Sequence, residues 1–276
     1  MHSASDPAVF ARARSTDESI SIRRVRTLAE YEECVAIERE TWGNQFTESV
    51  PSTILRIAQE VGGVTAAAFD ADGKMLGFVF GITGVRDGAL SHWSDMLAVR
   101  VGARDRGLGK RLKAYQRQLL LEIGVRNMYW TFDPLVARNA YLNLERLGAR
   151  VSEYRTNFYG DDTGSAMHAA LGTDRFIVVW PLDTEYEAQE SSVAREEWRD
   201  APVIGSAVTE PLPTAARVRV SIPDDIFAVL EDDPKLAHQW RSTTRAAFNT
   251  YLSRGYRVVG FERRTSTTAA AYLLEH

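Results

Sequence analysis

The stretch Arg104-Asp105-Arg106-Gly107-Leu108-Gly109 decides how this chain is read. It follows Met96-Leu97-Ala98-Val99, an apolar run suited to a buried strand, and precedes Leu108, Leu112, Tyr115 and Leu119 at helical spacing. A strand feeding a glycine turn and then a helix aims unpaired backbone N–H groups, and the positive end of the helix dipole, at one point. An anion is expected there. Gly107 and Gly109 let the backbone close around a diphosphate without a Cβ in the way. Arg100, Arg104, Arg106, Lys110, Arg111, Lys113 and Arg117 face a single acid, Asp105, in a chain whose formal net charge is -4, so the cationic field is local. A Walker loop would need glycine at 104 and Ser or Thr at 111, where Arg104 and Arg111 stand. A dinucleotide fingerprint would need a third glycine where Leu112 stands.

Working outward, 276 residues at 45% hydrophobic composition suffice for one good core and a smaller second one. The acidic balance argues against wholesale binding to nucleic acid or an anionic membrane. Cys34 is the only cysteine, which excludes an intrachain disulfide framework and a multi-cysteine zinc site, and no metal is expected. A reducing, cytoplasmic setting fits. Residues 1–19 are polar and small and read as a disordered leader, with neither a secretory signal nor a spanning segment after it.

Periodicity predicts a strand at 20–25, a helix opened by Thr27 and Glu30 in capping-box spacing, and a second helix at 51–61. Strands follow at 64–69, 74–83 and 90–99, then a helix at 107–122, a strand at 128–132, a helix at 135–147, and strands at 151–158 and 175–180. The order is β α α β β β α β α β β. Residues 183–214, rich in Glu, Ser, Ala and Pro, read as a tether, and 215–276 as a small β-α-β-β unit that repeats the shape of 127–180.

This turn and order resemble the GNAT superfamily of acyl-CoA-dependent N-acyltransferases, whose Arg/Gln-x-x-Gly-x-Gly/Ala signature is matched by Arg104, Gly107 and Gly109. The resemblance covers roughly residues 20–182 and implies an α/β fold with a mixed, mostly antiparallel sheet flanked by helices; the C-terminal unit lies outside it. It implies acetyl-CoA or another acyl-CoA as co-substrate, with Arg104, Arg106, Gly107, Leu108, Gly109 and Lys110 at the pyrophosphate. Leu97 and Val99 inherit the pantetheine-bonding strand end, where the Val99 amide would polarise the thioester carbonyl. Asn139 resembles the family's CoA-contacting asparagine, although the usual alignment puts that residue at Ala137. More narrowly, 130–135, 139–144, 147–149 and 157–160 look like a bacterial branch with an added C-terminal region. Some members occur with N-acylamino acid racemases, which suggests amino-acid N-acylation, succinylation included.

In such chemistry the substrate ammonium must lose a proton before it attacks, while a thiolate of pKa roughly 8.5 leaves with little help. Asp95, on the strand before the turn, ranks first as base. His92 ranks second and is expected on the surface. The family's general-acid tyrosine is replaced by Leu144, so the acid is sought in Tyr141, one turn earlier, or in Tyr159. Residues 159–173, which include His168, are expected to border the acceptor pocket as a lid. The expected partner is a small-molecule amine. A CoA-binding sensor or scaffold and a protein-modifying acetyltransferase are the rival readings, and the oligomeric state, a dimer included, stays open.

Overall fold

The computed structural model describes residues 20–160, 163, 164, 171–184, 197–207, 211–266 and 268–276. The expected leader, His168 and most of the expected lid lie outside them. The first part of the chain forms β1 (Ser21–Arg24), α1 (Leu28–Trp42), α2 (Ser52–Glu60), β2 (Val64–Phe69), β3 (Met75–Arg86), β4 (Ala89–Val99), α3 (Leu108–Glu122) and β5 (Asn127–Phe132). Then come α4 (Ala137–Ala140), a π-helical turn (Tyr141–Arg146), β6 (Arg150–Arg155) and β7 (Arg175–Pro181). The capping box is present: Thr27 accepts from the Glu30 amide, and the Glu30 carboxylate returns to the Thr27 amide.

The seven strands form one sheet in the order β1-β2-β3-β4-β5-β7-β6. Every pairing is antiparallel except β4 with β5, which needs the crossover through α3. One face buries Phe78, Phe80, Met96 and Ala98 with Ile37 and Leu55 of α1 and α2; the other buries Val79, Met128 and Trp130 with Leu112 and Leu120 of α3. The single α-helix expected over 135–147 is corrected. Its second half is wound wider, with the Leu147 amide reaching back to the Leu142 carbonyl at 3.0 Å. The extra residue in this turn lets both Asn143 and Leu144 face inward, and Asn143 Oδ1 accepts from the Trp130 indole at 3.1 Å.

Beyond residue 200 stand β8 (Val203–Ile204), β9 (Arg217–Ile222), α5 (Ile226–Asp232), α6 (Pro234–Ser253), β10 (Arg257–Glu262) and β11 (Ala270–Glu275). They form a second sheet ordered β10-β11-β9-β8, with β8 drawn from the stretch that reads as a tether. One apolar cluster runs through both sheets. Phe176 of β7, Phe248 of α6 and Tyr272 of β11 meet with ring centroids 4.7 to 5.3 Å apart. Around them Arg245 grips buried Asp174 through two contacts of 2.7 and 2.9 Å, and Tyr272 donates to the Pro134 carbonyl at 2.7 Å. Such packing predicts that Phe248→Ala costs about 3–5 kcal/mol in denaturant unfolding and that both sheets melt in one transition. A loss below about 1 kcal/mol would mean that the site relaxes around the cavity or that the sheets are stable separately.

Candidate active site

β4 and β5 pair only where Ser91, His92 and Trp93 meet Asn127, Met128 and Tyr129; beyond these residues the two strands part. β4 stays with β3, and the Arg100 amide donates to the Leu76 carbonyl at 2.9 Å. Backbone direction alternates along an antiparallel ladder, so Ala98 and Met96 also turn to β3 while Leu97 and Val99 present their amides to the opened side. The register shifts by one residue between Phe80 and Gly81, which places Asp95 as the extra residue of a bulge. A fork lined by backbone donors that pair with no strand among the described residues results.

The fork opens toward the start of α3. Gly107 caps this helix at φ +70, a left-handed conformation that suits glycine, with no side-chain cap on the first amides. A Cβ at Gly107 would meet nothing within 4 Å, and one at Gly109 only Leu97 Cδ2 at 3.7 Å. The cationic field is narrower than the sequence suggests. Arg100 is held by Glu33 and Glu40, Arg111 donates to the Ile20 carbonyl, Arg117 lies toward Trp180, and Lys113 is buried. Arg104, Arg106 and Lys110 remain exposed at the turn, and Arg104 Nε donates to the Val99 carbonyl at 3.1 Å.

On the α1/α2 side of the fork, Asp95 is open to solvent, yet the protein around it and the charge of Glu48 raise its pKa against a hydrogen bond from Trp93. Solvent contact damps the shift. Glu38 of α1, fully buried, accepts from Ser49 Oγ and the Val50 amide through Oε2, while its Oε1 has no hydrogen-bond partner among the described residues. Burial raises its pKa, and Asp95 adds to the effect. Tyr159 reaches across to Thr131 of β5 at 2.9 Å and lies 5.2 Å from the Arg175 guanidinium. Trp93 stacks on Phe158 at 6.2 Å beside it.

Behind the fork, on the α3 side, a chain of polar groups crosses the sheet. Lys113 Nζ donates to Ser94 Oγ at 2.7 Å, Ser94 to Gln116 Oε1 at 2.9 Å, and Gln116 Nε2 to His92 Nε2 at 2.9 Å. The ring is thereby fixed with its proton on Nδ1, facing Thr83 at 2.9 Å, and Thr83 donates to the Gly62 carbonyl at 2.7 Å. The expected exposure of His92 is overturned: it is fully buried, because β4 turns it under α3. Burial, and then the charge of Lys113, lower its pKa to about 3. A neutral ring in the fold against a value of 6.5 unfolded contributes stability above pH 6.5 that is lost as pH falls toward 3. The stability gap between wild type and His92→Gln should therefore narrow by up to ~1.4 kcal/mol per pH unit across that window in paired melts. A gap independent of pH would contradict the neutral buried ring.

Asp95 and Tyr159 thus come together on one side of the fork, with Leu97, Val99, Gly107, Leu108 and Gly109 at its mouth. Tyr141 does not join them: it packs against the core under the Arg263 guanidinium, 4.8 Å from its ring. Leu144 is buried, and Asn139 lies half-buried on α4. Asp133 caps the turn through the Leu135 amide at 2.8 Å and also pairs with Arg241 and Arg175. Glu38 and Lys113 escaped sequence reading. Only an acid or amine at an inward helical position, Glu38 four residues after Cys34 and Lys113 beside Leu112, hinted at them.

The order and pairing of β1 to β7, with one parallel pair that opens beside a glycine-capped helix, agree with the mixed, mostly antiparallel α/β sheet that the sequence resemblance implies. Among solved structures, the ribosomal-protein-S18-alanine N-acetyltransferase of Escherichia coli is 21% identical over 61% of this chain and 97% of its own, at a TM-score of 0.45. An aminoglycoside 6'-acetyltransferase type Ii is 18% identical over 60% of this chain and 99% of its own, at a TM-score of 0.47. No protein-family model and no curated protein matches the chain. No helix among the described residues is long and apolar enough to cross a membrane.

Proposed function

We propose that the fork is the seat of an acyl-CoA and that the protein transfers its acyl group to a primary amine of a small molecule such as an amino acid. The observation that carries this reading is the parting of β4 from β5 directly above the glycine-capped start of α3. The pyrophosphate takes the amides of residues 107–110, with Arg104 and Arg106 beside it. The pantetheine arm lies along β4 and bonds to Leu97 and Val99, and Asn139 borders the opposite arm of the fork. One of these two strand amides holds the thioester carbonyl and the oxyanion that grows on it.

The amine enters from the α1/α2 side, where the carboxylates of Asp95 and Glu48 suit an ammonium. Asp95 takes its proton, and the freed nitrogen attacks the thioester directly in a ternary complex. Tyr159, anchored on Thr131, shapes the acceptor wall. The acyl group is acetyl or another small acyl, succinyl included. Incubation with acetyl-, propionyl- and succinyl-CoA and a panel of amino acids and polyamines should release free thiol that depends on the amine. Absence of release across the whole panel would count against an active enzyme.

A further inference from the structure

Lys113 is a buried amine on the inner face of α3. It is 4% exposed, and its described contacts are Ser94 Oγ at 2.7 Å, Met128 Sδ at 3.8 Å and the Trp130 ring at 4.1 Å from its centroid. Among the described residues no carboxylate pairs with it. An isolated buried ammonium is costly, so burial lowers the Lys113 pKa to about 7, and an apolar side chain of similar volume would fill the same space more cheaply. Nothing in the fold requires a cation here.

Its place is specific, however. Trp93 opposite Tyr129 is the last pair between β4 and β5. Ser94 is the next residue on β4, and Met128 and Trp130 flank that point on β5, so Nζ bridges the two strands where they separate. The Ser94–Gln116–His92–Thr83 chain runs its donors away from Lys113 and ends on the Gly62 carbonyl. It therefore takes one proton from Nζ, and the rest of the ammonium meets only the weak acceptors Met128 Sδ and the Trp130 face at the seam. A buried amine with no anionic partner among the described residues, at the point where the two strands part, fits an anionic atom of the ligand.

We propose that Lys113 supplies the counter-charge for the coenzyme A sulfur as it leaves, an inference that rests on the acyl-CoA reading of the fork. In the step itself the substrate ammonium gives its first proton to Asp95, and the nitrogen forms the new C–N bond. The C–S bond breaks with its electron pair on sulfur, which becomes a thiolate against the Lys113 ammonium. The nitrogen's second proton is released as the intermediate collapses and is taken up by the thiolate, so the products are the amide, coenzyme A thiol and one proton.

The test compares wild type, Lys113→Met and Lys113→Arg, with coenzyme A itself as probe. Ultraviolet titration of the bound thiol should show it about one unit or more below its free value in wild type and back at that value in Lys113→Met. The Met variant should lose roughly tenfold to a hundredfold in kcat with KM for acyl-CoA within about threefold, and Lys113→Arg should recover part of the loss. Its melting temperature at neutral pH should equal or exceed that of wild type, an outcome that a merely structural lysine would not give. Should the Met variant not fold, Lys113→Gln is read in the same way. If all proteins bind coenzyme A by calorimetry and their bound thiols titrate alike, the role of Lys113 is refuted while the donor site stands. If wild type binds no coenzyme A, both readings fall.

Discussion

Gly109→Asp is expected to remove coenzyme A binding, weakening it by at least about a hundredfold in calorimetry, while the melting temperature stays within a few degrees. Gly109 lies in the first turn of α3, whose amides pair within the helix only from Arg111 onward. A carboxylate there faces a diphosphate at roughly 4–5 Å, and at an effective dielectric near 20 each pair of unit charges repels by about 3–4 kcal/mol. The fold has little to lose, since the added Cβ meets only Leu97 Cδ2 at 3.7 Å and an acid in a first helical turn is favoured by the dipole. Unchanged affinity would sink the assignment of this turn to the phosphates. Gly109→Ala adds bulk without charge and separates the two causes.

Asp95→Asn should lower kcat/KM at neutral pH by roughly 10²- to 10⁴-fold, the ordinary contribution of a positioned base. In wild type, activity should rise with pH through the titration of this carboxyl, at a value above that of an ordinary aspartate because of its surroundings and Glu48. That limb should vanish in the variant. The stability effect has the opposite sign. A carboxyl whose folded pKa is raised binds its proton more tightly folded than unfolded, so it loses stability as pH rises through that range. Removing its charge beside Glu38 and Glu48 should leave the melting temperature equal or higher above that range. Activity within about threefold of wild type would move the base elsewhere, with Glu38 the next residue to substitute.

Local patterns were legible wherever they were strong. Thr27 with Glu30, the glycines that close α3 and the π-helical turn, and the apolar periods of α3 and α6 all lie in sequence neighbours a few residues apart. Asp95 was legible as a carboxylate on β4, but its outward aim comes from the bulge at Phe80/Gly81, a property of two paired strands. His92 was misplaced because a histidine near the start of a strand has no local mark of burial. Its burial depends on Gln116 and Thr83, 24 and 9 residues away. Tyr141 was drawn toward the chemistry by ideal helical spacing, and the wider π turn, with Arg263 laid over the ring, sets it elsewhere.

The sequence alone determined the order of the strands from β1 to β7 and the glycine turn between β4 and α3, because both follow from short-range backbone sterics, capping and apolar period. The tertiary structure decided which of the seven cations near that turn face it, and where β4 leaves β5. It also joined the two sheets in a common core, buried Lys113 where β4 and β5 part and set Asp95 on the opposite side. Each of these depends on contacts between residues far apart in the chain, where burial and pairing energies outweigh any preference that a short stretch of sequence can express.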